Sequence, residues 1–372
     1  MRPQGGEPEA RQQAILADDM RAKKPRFDVV GFGALNLDHV YAVPQLVIDG
    51  GVPVTASSVE AGGSAANTIY ALAKLGKRCG FIGVIGDDEA GKTILDSFHQ
   101  VGVDTSGIAV CPGTATGQTI CITAGQRQKA IYILPGANDL LSPERVDMSY
   151  LSDTRYVHLS SYLGESALRC QLDIVRNLPD QVETSLALDA VYAGHGLDAL
   201  SDLLQRCSAL FANADELQQL AGRDLHSAIE ACLSIGCEVV AATFGAGKPE
   251  QRKASASSSQ EATACMIAAK PSRGHRTREY AVPAVRTHSG AIVDTVGAGD
   301  AFAAGFLFGL LQRKYDLPAC GALGHTAAGF CLTELGARKG LPTKQDLLTR
   351  FGNSFRSFLD RGRKAKPVAD SI

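Results

Sequence analysis

The chain has 372 residues, 45% of them hydrophobic, which is enough for one large domain or two ordinary ones. Lysine plus arginine total 37 and aspartate plus glutamate 39, so the net charge of −2 gives no electrostatic reason to expect nucleic acid or a membrane as a partner. No apolar run reaches the roughly 18 residues of a membrane helix. The polar residues 1–24 also lack the apolar stretch of a secretory signal. We therefore expect a soluble, cytoplasmic protein with a disordered tail over residues 1–24.

Ten cysteines are scattered between Cys79 and Cys331. The nearest pair, Cys232 and Cys237, has no further cysteine or histidine beside it at the spacing of a metal site. We expect buried free thiols, because cysteines stay unpaired in a reducing compartment.

Short apolar runs alternate with helical patterns along most of the chain, beginning with a run at 27–33 that ends in glycines. Further strands are predicted at 81–85, 156–159, 186–189, 209–212 and 239–243. The first predicted helices cover residues 62–75 and 91–101. This alternation predicts an α/β fold whose parallel sheet is covered by helices on both faces.

Two segments, within about 38–60 and 114–135, interrupt this alternation with strand-like runs. The second segment has apolar runs at 119–123 and 130–134 on either side of a glycine-containing turn, as in a hairpin. We interpret the two segments as a small separate sheet that covers a cleft. Residues 249–263 are polar and low in complexity, which predicts a surface loop.

The most informative segment is Asp-Thr-Val-Gly-Ala-Gly-Asp at 294–300, which leads into an apolar helix pattern. Glycines allow the backbone to approach a ligand closely, and the start of a helix offers unpaired N–H groups and the positive end of the helix dipole. These features predict an anion site. Asp300 falls in the first helical turn, where a role restricted to capping the helix is the alternative.

This segment resembles the Asp-Thr-x-Gly-Ala-Gly-Asp signature of the ribokinase-like (PfkB) carbohydrate kinases, a family that includes ribokinases, fructokinases and adenosine kinases. Other elements agree in the family's order. They are Gly-Ala-Leu-Asn-Leu-Asp at 33–38, Gly-Gly-Ser-Ala-Ala-Asn at 62–67, Gly-Val-Ile-Gly-Asp-Asp at 83–88, Asn-Ala-Asp-Glu at 213–216 and Thr-Phe-Gly at 243–245. The resemblance implies one three-layer α/β/α kinase domain over residues 25–365, with a mostly parallel central sheet and a small β-sheet lid.

The resemblance also implies roles for individual residues in transfer of phosphate from ATP to a hydroxyl group. Asp300 would be the general base that accepts the hydroxyl proton. The amides of Gly297, Ala298 and Gly299 would stabilise charge on the transferred phosphoryl group. The residues implied to bind the acceptor are Asn36, Asp38, Gly62, Gly63 and Asn67.

Further matched residues are implied to bind the nucleotide and its cations. The nucleotide residues are Asn213, Thr243, Gly245, Gly297 and Gly299. Glu216 would act on Mg²⁺ through water, because this ion keeps several waters in proteins. A purely structural cap of the following helix by Asn213 and Glu216 remains the alternative. Asp294 is a candidate neighbour of K⁺, since monovalent cations activate parts of this family.

The identity of the acceptor is less constrained. No lysine or arginine occurs between Asp28 and Glu60, which disfavours an acceptor that already carries a phosphate, although Arg127 and Lys129 leave room for one. Apolar residues of the two lid segments are available either to cover a base or a sugar face or to form the core of the lid: Val40, Tyr41, Val43, Ile120, Ile122 and Tyr132. We expect a sugar or a nucleoside, with a slight preference for a nucleoside because Ser64 stands where ribokinases commonly have lysine.

Other interpretations of the sequence are weaker. A literal P-loop pattern occurs at 86–93, but three consecutive acidic residues would repel a triphosphate there. A catalytically silent small-molecule sensor on the same fold is the alternative function, although it predicts loss of Asp300 or the glycine turn. A dinucleotide-binding oxidoreductase is disfavoured because Asn36 occupies the position of the third glycine.

Because lid strands of this family often pair between subunits, a homodimer through the lid is a further expectation.

Overall fold

The computed structural model describes residues 24–124, 128–245, 263–270, 277–284 and 292–362, with side chains described as far as residue 354. The predicted tail therefore lies outside the described residues except for Lys24. The predicted loop at 249–263 also lies outside them, except that Thr263 begins a strand.

The described part of the chain forms two sheets. The strands are β1 Phe27–Phe32, β2 Asn36–Val43, β3 Ala56–Gly62, β4 Cys79–Gly86, β5 Ile108–Cys111, β6 Gly117–Ala124, β7 Gln128–Leu134, β8 Thr154–Leu159, β9 Glu183–Ala187, β10 Cys207–Asn213, β11 Val239–Thr243, β12 Thr263–Ala269 and β13 Arg278–Pro283.

The large sheet has nine strands in the order β13-β12-β11-β10-β9-β8-β1-β4-β5. The strands from β11 to β5 run parallel, whereas β12 and β13 pair antiparallel at one edge. All strands predicted for this sheet are observed. The one predicted at 186–189 is β9, which ends at Ala187, so that Asp189 instead caps the following helix.

The small sheet has four strands in the order β3-β2-β6-β7. It contains the two segments that interrupt the alternation in the sequence, although β2 begins two residues before residue 38 and β3 ends two residues after residue 60. Strands β2 and β6 pair in parallel, and each pairs antiparallel with its outer neighbour. Because paired residues share a face, the register determines which side chains point the same way as Asp38.

Helices connect the strands of the large sheet. They are α1 Ser64–Lys74, α2 Glu89–Gln100, α3 Met148–Ser152, α4 Glu165–Arg176, α5 Ala190–Ala193, α6 Gly196–Ala199, α7 Ser201–Gln205, α8 Ala214–Ala221, α9 Leu225–Ile235, α10 Ala298–Gln312, α11 Leu317–Cys331 and α12 Lys344–Gly362. Two short 3₁₀ helices cover Gly136–Leu140 and Pro143–Arg145. No helix in the described ranges is long and apolar enough to cross a membrane.

The hydrophobic core lies on both faces of the large sheet. In β1, Val30 and Phe32 pack into the layer that contains α4, α8 and α9, whereas Val29 packs into the layer that contains α1, α10 and α11. Both faces of the central strands are buried, as expected for a parallel sheet between two helical layers. All ten cysteines are buried free thiols.

Candidate active site

The proposed base, Asp300, lies in the first turn of α10 and is brought against the start of α1. Its Oδ1 accepts a hydrogen bond from the Ser64 hydroxyl at 2.7 Å, and its Oδ2 accepts one from Asn67 Nδ2 at 2.9 Å. The Thr68 hydroxyl donates to the backbone carbonyl of Asp300 at 3.3 Å. Two sequence motifs that lie more than 200 residues apart thus meet at one carboxylate.

The environment of Asp300 changes its proton affinity. Its pKa is raised to about 6, mainly because burial disfavours the charged form. The hydrogen bonds from Asn67 and Ser64 lower this pKa, the negative charge of Asp38 raises it, and the positive charge of Lys129 lowers it. A carboxylate in this state accepts a proton more readily than an exposed aspartate but is still mostly ionised at neutral pH.

The glycine turn before α10 is shaped by two positions with different constraints. Gly297 is the N-cap residue and has a φ of 75°, and a Cβ there would lie 2.5 Å from the Cβ of Ala337. A side chain is therefore excluded both by the backbone conformation and by the close contact. Around Gly299, in contrast, a Cβ would meet no atom within 4 Å. The turn consequently packs against the protein on one side and faces open space on the other.

The backbone amides of this turn are not equally free. The Ala298 amide donates to the Thr295 carbonyl at a long 3.4 Å, and the Ala301 amide donates to the Gly297 carbonyl at 2.9 Å. The start of a helix leaves N–H groups of the first turn without partners from the helix itself. These groups and the helix dipole create a site suited to an anion.

Asp294 is used to hold the glycine turn in place. It is only 5% exposed. Its Oδ1 accepts from the amides of Thr295 and Val296, and its Oδ2 accepts from the amide of Gly336 at 2.9 Å. The carboxylate thereby joins the turn to the segment that follows α11.

The residues predicted to bind the acceptor lie on β2, at the end of β3 and at the start of α1, which contains Asn67. Asp38 is 8% exposed, and its Oδ1 accepts a hydrogen bond from the Thr119 hydroxyl at 2.6 Å. A Cβ on Gly62 would lie 1.8 Å from Asp38 Oδ2, so only glycine leaves room for this carboxylate. Burial raises the pKa of Asp38.

Asn36 Oδ1 accepts from Asn138 Nδ2 at 3.0 Å. The remaining predicted residue, Gly63, is the N-cap of α1.

Asn213 and Glu216 form a capping box at the start of α8. Asn213 Oδ1 accepts from the Glu216 amide, and Glu216 Oε2 accepts from the Asn213 amide, both at 2.8 Å. The structural role considered for these residues, capping of the following helix, is therefore observed. The pKa of Glu216 is nevertheless raised to about 7 by burial, and the negative charges of Asp189 and Asp300 add to this. The capped helix thus also places a carboxylate near the proposed base.

The predicted nucleotide residues end two neighbouring strands. Asn213 ends β10 and is paired in register with Thr243, which ends β11. The Thr243 hydroxyl donates to the Ala212 carbonyl at 3.4 Å, and Gly245 has a φ of 53°. Because parallel strands end at the same edge of a sheet, these residues lie on the side of the sheet where β1 also ends.

Comparison with known proteins decides the class of this site. The model of the pfkB family of carbohydrate kinases matches residues 26–344. The chain belongs to the pfkB carbohydrate kinase family. It is therefore an ATP-dependent kinase of a sugar or a nucleoside, as the resemblance in the sequence predicted.

Individual relatives agree with this assignment. This kinase is 32% identical over 278 residues to an uncharacterised sugar kinase of Archaeoglobus fulgidus, covering 74% of the chain and 99% of the relative. It is 28% identical to the ribokinase of Haemophilus influenzae, covering 85% of the chain and 95% of the relative.

Solved structures show the same fold. The ribokinase of Arabidopsis thaliana complexed with ribose and ATP matches with a TM-score of 0.68 and 21% identity, covering 87% of this kinase and 98% of that chain. The adenosine kinase of Sinorhizobium meliloti matches with a TM-score of 0.69 and 22% identity, covering 87% and 99%. The predicted three-layer fold with a mostly parallel sheet and a smaller second sheet is confirmed.

Sequence reasoning missed Arg338, which contacts Asn67, one of the residues predicted to bind the acceptor. Its guanidinium is buried, and Nε donates to Asn67 Oδ1 at 2.8 Å. The preceding residue, Ala337, donates its amide to Glu60 at 2.8 Å. A lone arginine between alanine and lysine in a glycine-containing segment carries no recognisable signal in the sequence. A partner 271 residues away identifies it only after folding.

Asp189 is a second residue that sequence reasoning did not include. It caps α5, accepting a hydrogen bond from the Tyr192 amide at 3.1 Å and another from the Ser161 hydroxyl. Its position at the end of a predicted strand was the available signal, because the carboxyl ends of parallel strands form the site in this type of sheet.

The literal P-loop of the kinase has another use for its acidic residues. Asp88 caps α2, and its Oδ1 accepts from the Gly91 amide at 2.9 Å. Its Oδ2 accepts from the Thr116 amide at 2.9 Å, and Asp87 accepts from the Gly113 amide at 2.9 Å. Asp88 therefore occupies the Gly91 amide, a loop donor that a P-loop would offer to phosphate.

The register of the small sheet corrects one expectation about the lid. Asp38 pairs with Thr119, which pairs with Ile133, so these three side chains share one face. Of the apolar residues expected to cover the acceptor, only Val40 lies on that face. Those on the opposite face are Tyr41, Val43, Ile120, Ile122 and Tyr132.

Proposed function

We propose that this kinase transfers the γ-phosphate of ATP to a hydroxyl group, most readily a hydroxymethyl, of a small sugar or nucleoside, with Asp300 as the general base. The observation that carries the proposal is the position of Asp300. It lies at the start of α10, is held by Ser64 and Asn67, and is close enough to Asp38 for the two charges to interact. This position supports a base between the glycine turn and the residues proposed to bind the acceptor.

In the proposed reaction, Asp300 accepts the proton of the acceptor hydroxyl as its oxygen attacks the γ-phosphorus. The bond between the γ-phosphorus and the bridging oxygen breaks, and ADP leaves. The amides of Gly297, Ala298 and Gly299 stabilise negative charge on the transferred group. The open space around Gly299 supports this assignment, because a phosphoryl group needs to approach the helix start closely.

The acceptor is proposed to lie against Asn36, Asp38, Gly62, Gly63 and Asn67. Carboxylate and amide side chains suit recognition of neighbouring hydroxyl groups, because each makes two or more hydrogen bonds. Ile131 and Ile133 share the face of Asp38 and are partly exposed, so they offer an apolar surface for a base or a sugar face. We therefore retain the preference for a nucleoside over a sugar.

A sugar phosphate is a less favoured acceptor. Lys129 pairs with Thr123 and lies on the same face of the small sheet as Asp38, which places one cation near Asp300 and Glu216. A second described cation near Asp300, Arg338, already donates to Asn67 and Ser97, and Arg127 lies outside the described residues. The transferring phosphoryl group itself needs a cation to neutralise its charge. Lys129 is therefore less available for a second phosphate on the acceptor.

Mg²⁺ is proposed to accompany ATP, with Glu216 acting through water. Within the described ranges, no group of three or more acidic, histidine or cysteine side chains could hold a metal ion. A single carboxylate that acts through water suits an ion whose other oxygen ligands come from phosphates and water. Bound Mg²⁺ would neutralise charge on the phosphates. Asn213, Thr243 and Gly245 are proposed to contact the nucleotide, and Asp294 remains the candidate neighbour of K⁺.

The test measures ADP release from Mg·ATP with D-ribose, D-fructose, adenosine, inosine and ribose 1-phosphate as acceptors, using the intact chain and its Asp300→Asn variant. We expect one acceptor to stimulate turnover and the variant to lose at least about 100-fold in kcat, since a general base contributes on the order of 10²–10⁴-fold. Full activity of the variant would show that Asp300 is not the base. Stoichiometric binding of an acceptor without turnover would favour the silent sensor.

We also propose that the small sheet is the lid of the site and that two copies of the kinase associate through it. Val59, Ile120 and Tyr132 form an exposed apolar row across the face opposite Asp38, joined in register through His39. Leu134 is exposed on the same face. A second copy presenting the same row would cover these side chains in a symmetric contact.

A further inference from the structure

Arg338 lies in a buried position between α1 and α2, and its side chain is held in one orientation. It is 6% exposed. Nε donates to Asn67 Oδ1 and Nη1 donates to Ser97 Oγ, each at 2.8 Å. The guanidinium carbon lies 4.9 Å from the ring centroid of Tyr70 and 5.5 Å from that of Phe98. A planar cation between two rings has little freedom to turn.

Asn67 connects this guanidinium to Asp300. Its Oδ1 accepts from Arg338, and its Nδ2 donates to Asp300 Oδ2 at 2.9 Å. An arginine can only donate hydrogen bonds, and an ionised carboxylate can only accept them. The amide between them therefore has one orientation that satisfies both neighbours. The reversed orientation would place an oxygen against the carboxylate and an NH₂ group against the guanidinium.

We propose that Arg338 is a positioning residue, which orients the Asn67 amide so that its Nδ2 donates to the carboxylate of Asp300. This inference rests on the proposed role of Asp300 as the general base. Arg338 touches neither of the reacting atoms, so it acts on the reaction through Asn67.

The charges around the pair determine the direction of the effect. Burial lowers the pKa of Arg338 to about 10, so it is still a cation at neutral pH. The titratable groups that interact with it are the carboxyls of Asp38, Glu60 and Asp300 and the hydroxyl of Tyr70. Asp300 itself interacts with Asn67, Ser64, Asp38, Lys129, Glu216, Cys331 and Arg338.

Loss of Arg338 thus removes a cation from a group dominated by carboxylates and also frees the amide to reverse. Both changes disfavour the ionised form of Asp300, so its pKa rises. A role limited to holding the segment after α11 in place would instead lower stability, and would lower activity by the same factor at every pH.

The experiment compares Arg338→Met, Arg338→Lys and Ser97→Ala with the unmodified kinase. The pH dependence of kcat/KM is measured from pH 5 to 9 with the acceptor that gives the fastest turnover. We expect the acidic limb of Arg338→Met to move upward by about one pH unit, a roughly tenfold loss on the limb that largely recovers at high pH. Arg338→Lys, which keeps the charge but not the planar fork, should shift less. Ser97→Ala, which leaves the bond to Asn67 intact, should not shift.

The titration of the Asp300 carboxyl is also measured directly, in an experiment that needs no acceptor. In protein labelled with ¹³C at aspartate carboxyls, the Asp300 signal is assigned by its absence in Asp300→Asn, and its titration is followed in each variant. The same upward shift is expected in Arg338→Met. Melting temperatures show whether each variant is folded. If Arg338→Met does not fold, Arg338→Lys is compared in the unmodified and Asn67→Ala backgrounds, where the effect of the lysine should be smaller without Asn67.

The outcomes separate the two proposals. If Asp300→Asn is inactive but the Asp300 titration and the acidic limb of Arg338→Met do not move, the positioning role is wrong and the general base stands. Equal effects of changing Arg338 with and without Asn67 also contradict the positioning role. If Asp300→Asn is fully active, the general-base proposal itself is wrong.

Discussion

The carboxylate of Asp300 lies between groups that raise its pKa and groups that lower it. Burial and the charge of Asp38 act in one direction, and the hydrogen bonds of Asn67 and Ser64 act in the other. The resulting pKa of about 6 suits the proposed general base, which must accept a proton and yet be ionised near neutral pH. Single hydrogen bonds around this residue should therefore have measurable kinetic effects.

The pH dependence of kcat/KM tests this balance. We expect activity to fall with an acidic limb near pH 6, because the base must be ionised and Asp300 becomes protonated below its pKa. Ser64→Ala removes a hydrogen bond that favours the ionised form, so its limb should move to higher pH. Thr68→Ala is the matched control, since Thr68 donates to the backbone carbonyl of Asp300 and not to its carboxylate. A limb near pH 4 in the unmodified kinase would contradict the assignment.

The start of α10 contains two glycines whose roles cannot be distinguished from the sequence alone. Gly297 carries the positive φ and the close contact with Ala337, which are structural constraints. Gly299 already has helical geometry and faces open space, so its small size serves no packing purpose. Under the proposed function, room for an approaching phosphoryl group is the reason to keep that space open.

Alanine substitutions should separate these roles. Gly297→Ala should lower the free energy of unfolding by about 1–3 kcal/mol, because alanine is strained at this φ and collides with Ala337. Gly299→Ala should leave the free energy of unfolding unchanged or slightly higher, because alanine favours the helix. It should nevertheless lower kcat more than tenfold, since a Cβ would intrude on the proposed phosphoryl site. Denaturant unfolding and ADP release measure the two effects, and full activity of Gly299→Ala would contradict the anion site.

The two faces of the small sheet differ in the side chains that they present. The face that carries Asp38 also carries Thr119 and Ile133 and is proposed to cover the site. The other face presents the apolar row formed by Val59, Ile120 and Tyr132. Association of two lids would bury that row, and would join the movements of the two proposed lids.

The oligomeric state tests this arrangement. We expect light scattering after size exclusion to give the mass of a dimer for the unmodified kinase and of a monomer for Tyr132→Lys, because a charge in the buried row is unfavourable. Val110→Lys is the matched control, as Val110 is an exposed apolar residue on β5, at the edge of the large sheet. A monomeric unmodified kinase, or an equal loss of dimer in both variants, would argue against a lid contact.

The order of strands and helices could be predicted from the sequence because it depends on local patterns. Apolar runs of strand length, such as β4, differ from amphipathic helical stretches such as α2 over only a few residues. The glycine turn before Asp300 was also recognisable, since closely spaced glycines permit backbone conformations that other residues disfavour. The positions of Asp300 and Asp38 relative to one another were expected only through the resemblance to the family.

Other features depended on tertiary structure. Arg338 contacts Asn67 across 271 residues, and no local pattern encodes such a partner. The face of the lid on which each apolar residue lies depends on strand register, and a shift by one residue would reverse it. The burial that raises the pKa of Asp300 arises only when α1 and α10 pack together. The sequence by itself thus determined the class of fold and the chemistry available, because both follow from short-range patterns. The folded chain decided which distant groups act on that chemistry, because burial and side-chain contact exist only after packing.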